Sequence, residues 1–226
     1  SKQLIGNGTG GSRTLYGAGS AILSLAQRLK EQVQALRAEL GQSPTVDDWS
    51  QWLAGLTPAQ LERLQAMGEA SSGSTFPNGC HVAEIEIDPA TGITDVVQYW
   101  AVDDLGKVIS PDLVRGQVHG GVVQGWGQAF CEQVVYDDQG QLLTGSLMDY
   151  AMPRLGHMPI IRNETIEVAT GLNALGSKGV GESGCTGSLP ALSNAMMDAL
   201  RPFGVQAMDM PFTPAKVWAA INPERS

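Results

Sequence analysis

The sequence predicts an α+β fold in which mixed β-sheets pack against two long amphipathic helices. Three observations lead to this class. Apolar side chains recur at helical spacing in two separate stretches, strand-like segments lie between them, and turn sequences separate these patterns. The 226 residues are enough for one large domain or two small ones.

The first predicted element is a long amphipathic helix that follows a glycine-rich loop. From Ile22 to Leu40, apolar residues recur at spacings of three and four, and Gly41 is a suitable residue to end the helix. The loop before it, residues 6–11, reads Gly-Asn-Gly-Thr-Gly-Gly. Because the chain starts with Ser and reaches this loop almost at once, we expect a fragment, a processed chain or one subunit of something larger.

The next stretch, residues 42–75, predicts two short helices followed by a linker. Thr45 with Asp48, and Thr57-Pro58 with Gln60, have the residue types of helix N-terminal caps. The end of the stretch is rich in Ser and Gly, which is the composition of a linker. No chemical motif occurs here, so we interpret residues 42–75 as a helical insertion and linker.

A strand-rich part follows. The apolar pattern predicts one strand around residues 82–87, a turn at 88–92 and a return strand from Ile93 to Val102. A further hairpin turn is predicted at residues 137–140, and another strand from Thr165 to Ala169.

Two more helices complete the prediction. Residues 111–130 are apolar and predict a helix, although five glycines lie in it and each costs up to ~1 kcal/mol relative to alanine. Such a helix needs a reason for its glycines, and the close approach of another element or of a ligand would provide one. Leu192 to Leu200 then predict an amphipathic helix with Ser188 as its N-cap, after a glycine-dense loop over residues 176–187.

Composition excludes several classes of function. The chain is 42% hydrophobic and 16% charged, as expected of a globular protein. A formal net charge of −9 opposes nucleic-acid binding, and no segment approaches the ~20 apolar residues of a membrane span. With no signal peptide in view, we expect a cytoplasmic protein. Three separated cysteines without a CxxC pair argue against a disulfide scaffold and against a zinc or iron–sulfur site of the chain's own.

The first glycine loop has three possible interpretations. It satisfies the G-x-G-x-x-G pattern of dinucleotide-binding folds, but that function also requires a strand–helix–strand unit, and here the helix runs into further helices. Alternatively, its backbone N–H groups bind a phosphate at a helix start, or the glycines simply begin the helix. The second glycine loop fails the P-loop pattern, because its lysine does not precede Ser or Thr.

Two side chains are candidates for chemistry. Glu182 lies among glycines and small residues, and a carboxylate in a dry pocket of that kind would have a raised pKa suited to a general base. The alternative is an ordinary solvated loop glutamate. Gln124 is an amide among apolar residues and glycines, so it would hydrogen-bond either to core backbone groups or to a polar ligand.

Several segments together resemble the C-terminal part of the molybdopterin-binding large subunit of the molybdenum hydroxylases. This is the family of xanthine dehydrogenase, aldehyde oxidoreductase and aerobic carbon monoxide dehydrogenase. The segments that carry the resemblance, in order, are 9–13 (TGGSR), 76–79 (FPNG), 101–106 (AVDDLG), 109–111 (ISP), 120–129 (GGVVQGWGQA), 143–153 (LTGSLMDYAMP) and 176–182 (GSKGVGE). The resemblance covers nearly the whole chain except residues 42–70.

The resemblance implies a function and a set of site residues. These enzymes oxidise a carbon centre with oxygen derived from water at a molybdenum ion, which the dithiolene of a pterin holds without a side-chain ligand. Glu182 matches the catalytic base that removes a proton from the attacking oxygen, and Gln124 matches a glutamine that hydrogen-bonds the cofactor. The remaining matches to cofactor-binding positions are Gly10, Gly11 and Ser12 in the first loop and Lys178, Gly179 and Gly181 in the second.

The resemblance also implies cofactors and partners. The cofactor would be molybdopterin with molybdenum, in its simple or its cytosine dinucleotide form. Iron–sulfur clusters and FAD would lie on partner chains or on domains outside this sequence, and the remainder of the large subunit would be a partner. We therefore expect 1–41 to be the glycine loop and long helix of the cofactor-binding domain, and 76–226 to be the α+β portion with the catalytic glutamate. A non-catalytic structural piece of such a complex is the alternative, and a dinucleotide-binding module is a weaker one.

Overall fold

The computed structural model describes residues 8–71 and 73–224. They form an α+β fold, in which each helix and strand except α6 was predicted in kind and order. In chain order the elements are α1 (Thr14–Glu39), α2 (Trp49–Ala54), α3 (Pro58–Glu62), β1 (Asn78–Ile87), β2 (Thr94–Asp104), α4 (Pro111–Phe130), β3 (Ile161–Ile166), α5 (Ser183–Leu200) and α6 (Pro214–Ile221). Single 3₁₀ turns lie at Leu155–His157 and Arg201–Phe203.

The chain divides into two compact units. The first comprises residues 1–75 and 170–177, and the second comprises residues 76–169 and 178–226. The three-part division into 1–41, 42–75 and 76–226 remains a prediction.

The first unit is built around α1. Its apolar stripe is buried in the C-terminal half, where Val33 and Leu36 are 6% and 2% exposed, whereas Ile22 nearer the start is 68% exposed. Arg37 is also buried, because its guanidinium donates to the carbonyls of Ser43 and Thr45 after the helix has ended. These bonds turn the chain back along α1.

The caps of the two short helices differ from the prediction in one case. Thr57 and Gln60 form the predicted capping box of α3. The predicted pairing of Thr45 with Asp48 is wrong, because Asp48 itself is the N-cap of α2 and its carboxylate accepts from the N–H of Gln51 at 3.0 Å. An extended backbone at Asp48 places its carboxylate over the first turn, which leaves no capping role for Thr45.

A three-stranded mixed sheet forms the base of the second unit. Strands β1 and β2 pair antiparallel from Asn78 opposite Asp104 to Ile87 opposite Thr94, with a bulge between Glu84 and Ile85. Strand β3 pairs parallel to β2 and ends at Ile166, so the predicted strand at 165–169 is four residues late at its start. The predicted turn at 137–140 is present, closed by an isolated bridge between Tyr136 and Leu142.

Helices α4 and α5 pack on each other at unusually short range, because glycines face each other across the contact. A Cβ atom on Gly121 would lie 2.9 Å from Cα of Gly184, and one on Gly184 would collide with the carbonyl of Val118. Further along, a Cβ on Gly125 would collide with the hydroxyl of Ser188. The expectation that α4 accepts glycines because another element approaches is therefore confirmed for Gly121 and Gly125.

Helix α5 starts five residues before the predicted cap. Ser188 is fully buried within the helix, where its hydroxyl donates to the carbonyl of Cys185. The N-cap is Glu182. The first two turns of α5 contain Gly184 and Gly187 in place of large apolar side chains, and periodicity therefore gave no signal for them.

The core of the second unit lies between the sheet and these helices. Tyr99 of β2, Val122 of α4 and Met196 of α5 are fully buried there. A buried polar cluster adjoins this core. His81 lies 2.8 Å from the Tyr99 hydroxyl through Nδ1 and 3.4 Å from the Asp103 carboxylate through Nε2. Burial, with the nearby charge of Asp103 in second place, raises the pKa of Tyr99 well above its ordinary value.

Candidate cofactor and catalytic site

The first part of the predicted site is the loop that precedes α1. Gly11 and Ser12 both have positive φ angles, of 61° and 57°, and the helix follows after Arg13. Nothing lies within 4 Å of a Cβ atom built on Gly8, Gly10 or Gly11, so the backbone of this loop is open to a ligand. An open backbone in left-handed conformation before a helix start can hold an anion.

One basic side chain adjoins this loop among the described residues 8–13, and no acidic residue does. Arg13 lies directly after the loop, and its guanidinium reaches back to the carbonyl of Gly8 at 3.5 Å. An open backbone beside one cation is compatible with an anionic group.

The same stretch does not support dinucleotide binding. Within residues 8–71, α1 is followed by α2 and α3 and not by a strand. The strand–helix–strand unit that a dinucleotide site requires is therefore missing from this part of the structure.

Gln124 lies on α4, three residues after the contact of Gly121 with α5, and its side chain is exposed. The expectation of a buried amide is thus wrong for this chain, because the glycine face of α4 and not the Gln124 face meets α5. Glycines 116 and 120 have no atom within 4 Å of a built Cβ, so the helix is open on another side too. An exposed amide is free to meet a ligand without first losing an internal partner.

The second part of the predicted site is the segment from Lys178 to Glu182. The Lys178 N–H donates to the carbonyl of Leu105 at 2.8 Å, and its ammonium donates to the Asp104 carboxylate at 2.5 Å. The two side chains are 10% and 17% exposed. This lysine is therefore held by a nearly buried ion pair with the end of β2.

Asp104 was not predicted as a site residue. Besides Lys178, it accepts the N–H groups of Gly106 at 3.0 Å and Val168 at 3.1 Å. Burial of the carboxylate opposes its ionisation, but these three donors outweigh burial, so the pKa of Asp104 lies below its ordinary value. The only sequence signal was the paired Asp103-Asp104 before Leu-Gly at the end of a strand, in one of the segments that carry the family resemblance.

Glu182 is the N-cap residue of α5, at the surface of the second unit. Its carbonyl accepts the N–H of Thr186 at 2.9 Å, which is the first hydrogen bond of the helix. Its side chain is exposed, so the expected dry pocket is not formed by the described residues of this chain. Small neighbours are present, but they pack against α4 on the inner side of the helix and leave the outer side open.

His119 and His157 make contacts of different kinds. His119 lies 2.8 Å from the Asn163 side chain, and His157 packs against Trp126 with ring centroids 4.8 Å apart. Within residues 8–71 and 73–224, no group of three or more His, Cys, Asp or Glu side chains could hold a metal ion.

A cleft of about 350 Å³ lies elsewhere in the second unit. Residues 147–154 line it together with Cys131 and His157, and none of the predicted site residues is among them. Near this cleft the Tyr150 hydroxyl donates to Glu132 at 2.7 Å, and this bond to a carboxylate raises the pKa of Tyr150.

An open glycine loop before a helix start, like that before α1, is able to bind an anionic group. Residues 2–159 match the family described as the molybdopterin cofactor-binding domain. The chain belongs to this family, as part of the molybdopterin-binding large subunit of the molybdenum hydroxylases. The resemblance predicted from its motifs is thereby confirmed.

Individual relatives agree with this assignment. The nicotine 6-hydroxylase large subunit of Paenarthrobacter nicotinovorans is 35% identical over 98% of this chain and 30% of its own length. The carbon monoxide dehydrogenase large chain of Hydrogenophaga pseudoflava is 33% identical over 96% of this chain and 30% of its own. The crystal structure of a Cu,Mo carbon monoxide dehydrogenase has a TM-score of 0.85 at 27% identity, over 99% of this chain and 31% of that one.

The chain spans about 30% of the length of the curated relatives it matches. The family match ends at residue 159, before the segment with Glu182, whereas the relatives align over almost the whole chain. Among the residues that the structure describes, no helix combines the length and apolar character needed to cross a bilayer.

Proposed function

We propose that this chain contributes the catalytic base and part of the cofactor-binding surface of a molybdenum hydroxylase. The reaction is the oxidation of a carbon centre with oxygen derived from water. The observation that carries the proposal is the placement of Glu182, which lies exposed at the start of α5 after a segment anchored by the Asp104–Lys178 ion pair. An exposed carboxylate on a fixed segment can meet a substrate that a further part of the enzyme presents.

The cofactor is bound through backbone groups and one amide. In the first unit, the N–H groups of Gly10, Gly11 and Ser12 meet the phosphate, with the cationic side chain of Arg13 directly after them. In the second unit, the exposed amide of Gln124 hydrogen-bonds the pterin, and Gly179 and Gly181 allow its close approach. Lys178 contributes through the segment it holds and not as a direct ligand, because Asp104 occupies its ammonium.

When bound, the molybdenum–pterin group supplies the two-electron oxidant and activates the water-derived oxygen. Glu182 accepts the proton that this oxygen loses as it attacks the substrate carbon, and a positioned general base of this kind contributes about 10²–10⁴-fold in rate. The remainder of the large subunit is the first partner of this chain. It covers the exposed Glu182 and excludes bulk water from it.

The electrons leave through further partners. We propose iron–sulfur and FAD centres on other chains or domains, because the three cysteines of this chain are widely spaced in the sequence and include no CxxC pair. Cytoplasmic location belongs to the same proposal. The cytosine dinucleotide form of the cofactor is testable directly, because acid hydrolysis of the purified enzyme would release CMP only if that form is bound.

The experiment for the proposal is Glu182→Gln in the complete enzyme. We expect full molybdenum content but a loss of substrate-dependent reduction of the metal centre by about three orders of magnitude, as estimated for the loss of a general base. The matched control is Glu84→Gln, which removes the same charge from an exposed position on β1. Retained turnover in Glu182→Gln, at a level like that of Glu84→Gln, contradicts the proposal.

A non-catalytic structural role is the second candidate, and the exposure of both Glu182 and Gln124 is the observation that favours it. In that case Glu182→Gln and Gln124→Ala would leave both molybdenum content and turnover unchanged. Under the catalytic proposal Gln124→Ala lowers the molybdenum content, measured by elemental analysis against protein concentration.

A further inference from the structure

The segment of residues 178–182, which leads into α5, is anchored at its first residue, Lys178, by the Asp104 side chain 74 positions earlier in the sequence. We infer that Asp104 is a positioning residue for Glu182, acting through its ion pair with Lys178. The inference rests on the proposed role of Glu182 as the base. In this inference Asp104 contacts neither cofactor nor substrate, and it sets the orientation of Glu182, which does.

Both carboxylate oxygens of Asp104 accept hydrogen bonds, and their partners lie on different segments of the chain. Oδ1 accepts the N–H groups of Gly106 and Val168, which fixes the carboxylate to the chain after β2 and to the chain after β3. Oδ2 accepts the ammonium of Lys178. One carboxylate thus ties together the ends of two neighbouring parallel strands and the start of the segment that carries Glu182.

The second step is how little freedom remains between Lys178 and Glu182. The backbone N–H of Lys178 is bound to Leu105, and Val180 packs against the core of the unit. The carbonyl of Val180 accepts both the N–H of Ser183 at 3.2 Å and its hydroxyl at 2.9 Å, which leads into α5. Lys178, Val180 and the helix start are therefore fixed points.

The third step concerns the residues between those points. Residues 179 and 181 are both glycines, and the glycine backbone adopts more conformations than the backbone of any other residue type. The fixed neighbours of these glycines therefore help to keep the segment in one conformation. Loss of the ion pair would leave the first fixed point held by the backbone bond of Lys178 to Leu105 alone, with the helix packing of Gly184 against Gly121 still in place. The expected consequence is a displaced Glu182 in a folded protein.

Burial distinguishes this pair from the other described ion pairs that contain a lysine or an arginine. The Arg63–Glu39, Arg115–Asp112 and Arg201–Asp198 pairs have side chains that are between 51% and 87% exposed, whereas those of Lys178 and Asp104 are 10% and 17% exposed. Solvent screens the charges of an exposed pair, so such a pair contributes little to stability. Removing one partner of a buried pair leaves the other charge buried without a counter-charge, which is strongly destabilising.

The test is a double-mutant cycle in the complete enzyme with Asp104→Asn and Glu182→Gln. The asparagine retains an acceptor oxygen for Gly106 and Val168 but no longer attracts Lys178. We expect Asp104→Asn to keep its molybdenum and to lower the rate of substrate reduction per molybdenum by about 10²-fold, as estimated for a misplaced catalytic group. Asp112→Asn, which breaks an exposed pair on α4, is the matched control and should leave the rate unchanged.

The cycle separates the inference from the proposal on which it rests. If Asp104 acts through Glu182, Asp104→Asn should produce no further loss of rate in the Glu182→Gln enzyme. The low residual rate of that enzyme is measured over long time courses. An equal fold-loss in both backgrounds overturns the inference but leaves Glu182 as the base. An unchanged rate in Glu182→Gln alone contradicts the proposed function itself.

A second pair of variants covers the case in which Asp104→Asn fails to fold. Lys178→Arg retains the charge and should keep most of the rate, whereas Lys178→Met removes the charge at similar length and should lower it. A merely structural role would instead lower the melting temperature and the molybdenum content together, with the rate per molybdenum unchanged, and this result also overturns the inference.

Discussion

Two glycine-rich regions of the chain differ in what surrounds them. At the α4–α5 contact, Gly121, Gly125 and Gly184 are glycines because any side chain would collide with the facing helix. In the loop before α1, a Cβ atom built on Gly8, Gly10 or Gly11 would have no atom within 4 Å. The first region uses glycine to bring two backbones together, and the second uses it to leave a backbone uncovered.

The difference shows that glycine content alone does not define a binding site. Both regions match the molybdenum hydroxylases in sequence, yet only the open loop has the backbone exposure that an anion requires. The packed region fixes the position of Glu182, because Glu182 is the N-cap of α5 and the contact of α5 with α4 holds the start of that helix in place. Each region can therefore be tested with substitutions that distinguish packing from ligand binding.

The largest expected effect is that of Gly184→Ala. The added methyl group would collide with the backbone carbonyl of Val118, which cannot move away as a flexible side chain can. We expect the free energy of unfolding to fall by about 3 kcal/mol, at the upper end for overpacked cores. Denaturant unfolding measures this. An alanine here that costs less than Gly11→Ala would contradict the packed role.

A smaller effect on stability is expected on acidification, and it concerns the Asp104–Lys178 ion pair that anchors the segment before α5. Because the pKa of Asp104 is lowered in the folded state, its contribution to stability is present above the ordinary aspartate pKa and is lost as the pH falls through the lowered value. Hydrogen exchange at the N–H groups of Gly106 and Val168 should then accelerate beyond its intrinsic pH dependence. Protection that is unaltered below pH 4 would mean that the carboxylate charge does not hold this region.

Gly11→Ala tests the open region, where conformation and not space is the constraint. The φ angle of 61° costs a residue with a side chain roughly 1 kcal/mol, although no atom obstructs the methyl group. The change in unfolding free energy should therefore be about a third of that for Gly184→Ala. A loss of similar size in both variants would indicate that the loop is packed after all.

The smallest effect is expected for Gly120→Ala, and its sign is opposite. Gly120 is one residue from Gly121 on the same helix, but a Cβ there would meet nothing within 4 Å. Alanine should stabilise α4 by up to ~1 kcal/mol through helix propensity. Thermal unfolding compares the two neighbours, and a destabilised Gly120→Ala would show that this face of the helix is already covered.

The sequence predicted most elements because their signals are local. Helix α1, the β1–β2 hairpin, α4 and the capping box at Thr57 follow from periodicity, turn residues and side-chain chemistry. The early turns of α5 could not be predicted, since glycine packing leaves no apolar pattern. Asp104 was missed for a related reason, because its partner Lys178 is 74 residues away and only the fold brings them together.

Exposure was the property that sequence predicted least well. Glu182 and Gln124 both sit among small and apolar neighbours in the sequence, which suggested burial, and both are exposed. Helix geometry explains this, because the small residues cluster on the faces where α4 and α5 meet and leave the polar side chains on the other faces. Neighbours in sequence therefore did not indicate neighbours in space.

The comparison of the two glycine regions is tested most directly by the molybdenum content of the complete enzyme with Gly10→Asp. A carboxylate at this open position would repel an anionic cofactor without disturbing any packed atom. Gly73→Asp is the matched control, because it adds the same charge at another glycine with no atom within 4 Å. We expect at least a tenfold loss of molybdenum per protein for Gly10→Asp, with an unchanged melting temperature of the cofactor-free protein, and full molybdenum for Gly73→Asp. Full molybdenum in Gly10→Asp would contradict the claim that the open glycine backbone binds the cofactor.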